Sequence, residues 1–231
     1  MNRTRWSRPA TCVLIACVLL VGAAVSADEA DLAEALVRRQ YFEGIPFAEA
    51  AAIGPAGTAR LVELLGDPSE AQHHAAILEV LGISGQPGAF DAIETFAADP
   101  PSGAVSGATW RAQLAIPIAL GHLARRNPRA LRRLIRASDA RRPADWTYRS
   151  MNGAAVRVAV HRRVILGLGL SGAPQADAVL RRLPASPPVA TPSMGAFSDV
   201  RSQVQDALAL RARIAGEGAA AALRGRHGEM Q

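Results

Sequence analysis

Lysine is absent from this 231-residue chain, so all 26 basic residues are arginine. Cysteine occurs only at Cys12 and Cys17, and aromatic residues make up 4% of the chain. Each scarcity excludes something. Without lysine, a Gly-rich loop has no ammonium to meet a phosphate. Runs of β-branched and aromatic residues are almost missing and alanine dominates the apolar positions, so strand signals are weak and helix is favoured. Both cysteines lie in a leading segment that is expected to be removed. The mature protein then has no thiol, hence no disulfide, no Cys-ligated metal and no Cys nucleophile, and packing alone must hold it.

That leading segment has three parts. Arg3, Arg5 and Arg8 give a positive start. An uncharged apolar run follows from Thr11 to Val25, and Val25-Ser26-Ala27 offers the small residues a signal peptidase needs. This is the pattern of a secretory signal peptide cut after Ala27. The run is shorter than the roughly 20 residues of a membrane span, so no span is expected in the mature form. Leu14-Ile15-Ala16 before Cys17 gives a lipid-anchored alternative, but the residues after Cys17 stay apolar where a polar tether should begin. The expected division is 1–27 signal, 28–224 repeat domain and 225–231 flexible tail, with the mature chain in the periplasm or outside the cell.

Charge is unevenly spread. Residues 28–115 hold 4 Arg against 13 acidic residues, whereas residues 116–231 hold 19 Arg against 7. One half is acidic and the other basic, which suits an anionic partner for the basic half, head-to-tail contacts, or simply solvated helix faces.

The chain repeats itself. Leu81-Gly82-Ile83-Ser84-Gly85-Gln86-Pro87 matches Leu168-Gly169-Leu170-Ser171-Gly172-Ala173-Pro174, and Leu120-Gly121-His122-Leu123 marks a divergent unit between them. Ile53-Gly54-Pro55 gives a fainter unit before, and Ala212 to Gly218 another after. Each unit reads as a first helix closed by glycine, a short turn, and a second helix led by proline: Pro55, Pro87, Pro128 and Pro174. The second helices carry one apolar stripe each, such as Leu61, Leu64 and Leu65, or Leu131, Leu134 and Ile135. Such a stripe needs a stacked neighbour to cover it.

With Ile77 to Leu81 before Gly82, Val164 to Leu168 before Gly169, and the Pro-led second helices, the chain resembles bacterial HEAT-like repeat proteins, including the short type first described in bilin-attaching lyases. The resemblance spans roughly Ala48 to Gly225. It implies an all-α fold: an α-α superhelix (HEAT-like solenoid) of about five two-helix repeats, whose faces bind other proteins. The wider group includes lyases that act on tetrapyrroles, which makes a lyase-like enzyme a further alternative. The position seven before the Leu of Leu-Gly is often Arg in the family. Here it reads as His74, Gln113, His161 and, in the last unit, Gln205.

Two segments interrupt the repeats. Residues 138–151 place Trp146 and Tyr148 among Arg141, Arg142 and Arg149, and residues 184–198 are rich in Pro and Ser. Loops of such length in a compact array are functional or mobile.

No catalytic set, metal site or cofactor site emerges. His73 and His74 are adjacent, not three or four apart as a helical metal pair needs. Ser84 and Ser171 follow helices, whereas a nucleophile elbow follows a strand. His74 and His161 are expected to make polar contacts to a loop carbonyl of the next unit. The remaining candidate is arginine. Arg129, Arg132, Arg133 and Arg136 share one helix, and Arg162 with Arg163, then Arg181 with Arg182, repeat the theme. Aligned beside the Trp146 loop, they suit carboxylate or phosphate. The expected function is an exported, non-enzymatic scaffold that binds a protein partner in the cell envelope. The alternative is an anionic lipid or glycan on the basic half, without specific nucleic-acid binding.

Overall fold

The computed structural model describes residues 28–41, 44–99, 105–139, 153–183 and 200–224. Among these the fold is all-helical and contains no strand. A helix over 28–38 (α1) is followed by α2 (Phe47–Ala51), α3 (Pro55–Gly66), α4 (His74–Ser84), α5 (Ala89–Ala98), α6 (Gly107–Leu123), α7 (Pro128–Ala137), α8 (Gly153–Leu170), α9 (Pro174–Arg182), α10 (Val200–Glu217) and α11 (Ala219–Arg224). No helix among the described residues is long and apolar enough to cross a membrane.

The helices form two layers. In one, α2, α4, α6, α8 and α10 pack in succession; behind them, α5, α7 and α9 each touch the first-layer helices before and after them, α3 touches α4 and α5, and α11 touches α10. The alternation follows from the apolar patterns. Helix α7 exposes a continuous polar side, because Ala130, Leu131 and Leu134 are its only buried residues. Helix α6 is apolar nearly all round and buries nine residues, among them Ala112, Ile116, Ala119 and Leu120. A helix with one apolar stripe belongs at the surface, and one that is apolar all round belongs between neighbours.

Small residues set the spacing of the first layer. A Cβ on Gly82 would lie 2.6 Å from the backbone of Ala119, one on Gly121 2.5 Å from Gly167 O, and one on Gly169 2.9 Å from Ala207 O. The glycine of each Leu-Gly pair therefore touches the backbone of the next first helix. This contact fixes the register of the last unit. Ala207 stands where Ala119 and Gly167 stand, so Leu208-Ala209 is the counterpart of Leu168-Gly169. The position seven before that leucine is Arg201, not Gln205, which is exposed. Helix α10 runs on to Glu217, so within the Ala212 to Gly218 segment the break comes only at Gly218, whose φ is 79° and after which α11 begins.

The turns after the first helices explain the matching heptapeptides. Gly85 and Gly172 take left-handed φ values of 64° and 62°, which closes α4 and α8 at low cost. Ser84 Oγ donates to Leu81 O at 3.1 Å and Ser171 Oγ to Leu168 O at 2.6 Å, so these hydroxyls are spent on the helix ends. Arg126 Nη1 donates to Ser84 O at 2.8 Å, placing a cation from the next unit on the C-terminus of α4. Pro55, Pro128 and Pro174 begin α3, α7 and α9 as expected. Pro87 does not begin α5. It lies in the turn before it, and Gly88, at φ 89°, is the residue that precedes the helix.

The two ends of the array approach each other. Helix α2 touches α11, and Phe47 packs against both the main core and the smaller cluster of Leu170, Leu210, Ile214, Ala219 and Ala222.

Candidate functional site

The arginines of the second layer meet different fates. Arg129 Nη1 lies 3.0 Å from Asp91 Oδ1, with its guanidinium 4.4 Å from the centroid of the Phe90 ring. Arg133 Nε donates to Glu94 Oε1 at 3.0 Å. Both carboxylates come from α5, so an acidic helix of the second layer is bound to the basic helix α7. Arg181 Nε donates to Asp177 Oδ2 at 2.7 Å, and Arg211 Nη2 lies 3.1 Å from Asp177 Oδ1. The Arg181 hydrogen bond, with the charges of both arginines, holds the Asp177 carboxyl below its ordinary range. The aligned basic strip is thus partly spent on the protein's own carboxylates. Arg132, Arg136, Arg163 and Arg182 remain exposed, and Arg162 is half-buried. Arg141, Arg142, Trp146, Tyr148 and Arg149 lie outside the described residues.

The recurring position of the first helices is buried or half-buried in three units. His74 is buried, its Nε2 3.0 Å from Asp67 O and its ring edge-on to Phe96 with centroids 5.3 Å apart. Asp67 belongs to the turn before α4, so this contact looks back along the chain, not forward to the next unit. Gln113 is wholly buried, and neither its Oε1 nor its Nε2 has a partner. Pro117 lies inside α6 and has no N–H, so the Gln113 carbonyl also loses its helical donor. His161 is half-buried with Nδ1 unpaired, and burial pushes its pKa down. These side chains repeat in the fold, yet His74 is spent on its own turn.

Two further ionisable groups, one buried and one half-buried, stand apart from the expected site residues. His122, in the last turn of α6, is buried against Phe47, with ring centroids 6.0 Å apart and Nδ1 unpaired. Burial, and to a lesser extent the Arg125 charge, pushes its pKa down to about 3. Arg125 Nε donates to His122 O at 3.2 Å while its guanidinium lies 5.5 Å from the Phe47 ring centroid. The signal was Leu120-Gly121-His122-Leu123, where a polar residue sits inside an apolar run. Glu79 sits on α4, amid Leu78, Val80 and Leu81 in the sequence; burial pushes its carboxyl up and the Arg163 charge offsets this only in part.

A carboxyl whose folded pKa is raised contributes its full share of stability below the unfolded value and loses it as pH rises through the folded value. Glu79→Gln is therefore expected to raise the denaturation midpoint at pH 8 and leave it nearly unchanged at pH 4. Equal shifts at both pH values would show that burial does not burden this carboxylate.

Among the described residues no group of three or more His, Cys, Asp or Glu is placed to hold a metal ion. What the geometry offers is recognition chemistry: exposed guanidinium groups on a rigid helical layer, able to form paired hydrogen bonds with oxyanions. Compared with protein-family models, curated proteins and solved structures, the chain matches none of them.

Proposed function

We propose that the chain is a HEAT-like α-α superhelical scaffold of about five two-helix repeats, exported to the cell envelope, where it binds a protein partner and catalyses no reaction. The observation that carries this reading is the repeated close approach of the first helices: Gly82 to Ala119, Gly121 to Gly167 and Gly169 to Ala207, at one equivalent position. Equivalent units joined by equivalent contacts make a stiff, layered surface, as repeat arrays do in presenting binding faces. The polar groups at the repeat turns support a structural use of this sequence. Ser84, Ser171, His74 and Arg126 all bond to backbone carbonyls at helix ends or turns.

The test has two arms. Expression of the full chain in a bacterial host is expected to yield a periplasmic or secreted product whose first residue is Asp28. The purified product, immobilised at low salt, is expected to retain a specific protein from an envelope extract, released by excess free chain. An intact N-terminus on a cytoplasmic product would sink the export half. Failure to retain any protein at every salt concentration would sink the scaffold half.

A further inference from the structure

The arginines of the second layer divide into those that the protein's own carboxylates engage and those that stay exposed. On α7, Arg129 and Arg133 are one turn apart and are met by Asp91 and Glu94 of α5, each at 3.0 Å. Arg132 and Arg136 are also one turn apart on the same helix. They are each displaced about 60° around the helix axis from Arg129 and Arg133 respectively, from 3.6 residues per turn. Both are exposed and have no ion pair among the described residues. The next second-layer helix, α9, is in contact with α7. Where α5 offers acids, α9 ends in Arg181 and Arg182. Arg182 is exposed, and Asp177, the acid of α9, is already engaged by Arg181 and Arg211.

We propose that the outer face of α7 and α9, centred on Arg132, Arg136 and Arg182, docks an acidic helical segment of a partner protein, with carboxylates one helical turn apart. This rests on the scaffold reading and names the chemistry of its partner. Helix α5 shows the geometry: Asp91 and Glu94, three residues apart on a helix, pair with arginines four residues apart on α7. A partner helix lying over the outward side of α7, opposite its buried residues, completes the same pattern. The apolar residues of α7, Ala130, Leu131 and Leu134, are buried. Among the described residues, the exposed large hydrophobic residues are Leu32, Val62 and Val200, none of them on α7 or α9. The face therefore has nothing to insert into a bilayer, as a membrane-surface helix does, and charge complementarity with a protein carboxylate row suits it better.

The experiment uses the full mature chain and a fluorescent Ala-rich helical peptide bearing glutamates one turn apart, with anionic phosphatidylglycerol vesicles as the second probe. Peptide binding is expected at low salt and to weaken as salt rises. Arg132→Glu with Arg136→Glu is expected to lower peptide affinity about tenfold, from exposed pairs worth up to about 1 kcal/mol each. The charge-matched control Arg39→Glu with Arg111→Glu, at exposed positions elsewhere, is expected to leave it nearly unchanged. Arg132→Gln with Arg136→Gln repeats the test without new charge, and thermal melts confirm folding. Equal loss in the control, no peptide binding at low salt, or binding to vesicles but not to peptide would each overturn the proposal. If the natural partner is still retained by the Arg132/Arg136 variant, the docking face is wrong and the scaffold reading stands. If neither form retains a partner while the peptide still discriminates them, the scaffold reading fails and the carboxylate site stands.

Discussion

Gly121→Ala is expected to destabilise the protein by about 1–2 kcal/mol, although alanine is ordinarily the better helix former. The added Cβ would lie 2.5 Å from Gly167 O and 2.8 Å from Gly167 Cα. Both obstacles are backbone, so no side chain can rotate aside, and α6 must separate from α8. Overpacking of this kind costs about 1–3 kcal/mol, more than the roughly 1 kcal/mol that alanine gains in a helix interior. The same substitution at Gly216 has the opposite expectation. Nothing lies within 4 Å of a Cβ there, and the residue is helical within α10, so Gly216→Ala should stabilise by about 0.5 kcal/mol. Urea denaturation of the two variants beside the wild type checks the pair. A neutral Gly121→Ala would mean that the first helices do not meet backbone to backbone, and the repeat register would fall with it.

The second large effect concerns pH. His122 is buried and its pKa is pushed down to about 3, against about 6.5 when unfolded. In that interval the unfolded chain binds a proton that the folded chain does not. The stability contributed by neutral His122 is therefore complete above about pH 6.5 and lost as pH falls toward 3. A difference of that size corresponds to about 4–5 kcal/mol, on the order of the whole stability of a small domain. His161 acts in the same direction, and Glu79 in the opposite one. The partnered carboxylates Glu34, Asp67 and Asp177 have lowered pKa values, so they contribute to acid loss only below the ordinary carboxylate range. Between pH 6.5 and 5 the acid-side loss belongs mainly to the histidines. His122→Leu is expected to flatten the stability profile in that interval, whatever it does to absolute stability through the Phe47 contact. A variant with the wild-type slope would show that His122 accepts its proton without leaving the core.

The two predictions mark different levels of legibility. The glycines of Leu-Gly stand in the sequence as repeated letters, and a packing role can be read from them, but the partner of each cannot. Gly121 meets Gly167, two residues before Gly169, because adjacent first helices are displaced along their axes. Sequence matching by pattern alone placed the last unit at Ala212 to Gly218 and read Gln205 as its polar position. The Gly169–Ala207 contact moves that position to Arg201. His122 could be seen only as a polar letter in an apolar run, since its burial depends on Phe47, contributed by a helix far earlier in the chain.

The sequence by itself determined the helical class, the alternation of all-apolar and one-sided helices, and the turns. These depend on local chemistry: helix periodicity, glycine at left-handed φ, and proline at a first turn. It also determined the charge asymmetry. Only the tertiary structure decided what that asymmetry does. Asp91 and Glu94 absorb Arg129 and Arg133 because α5 and α7 are neighbours, and Arg132 and Arg136 stay outward because they lie on the side of α7 opposite its buried residues. Ion pairing depends on through-space distance, which linear spacing does not contain. The basic strip read from the sequence is thus divided into arginines that hold the array together and arginines left free to hold something else.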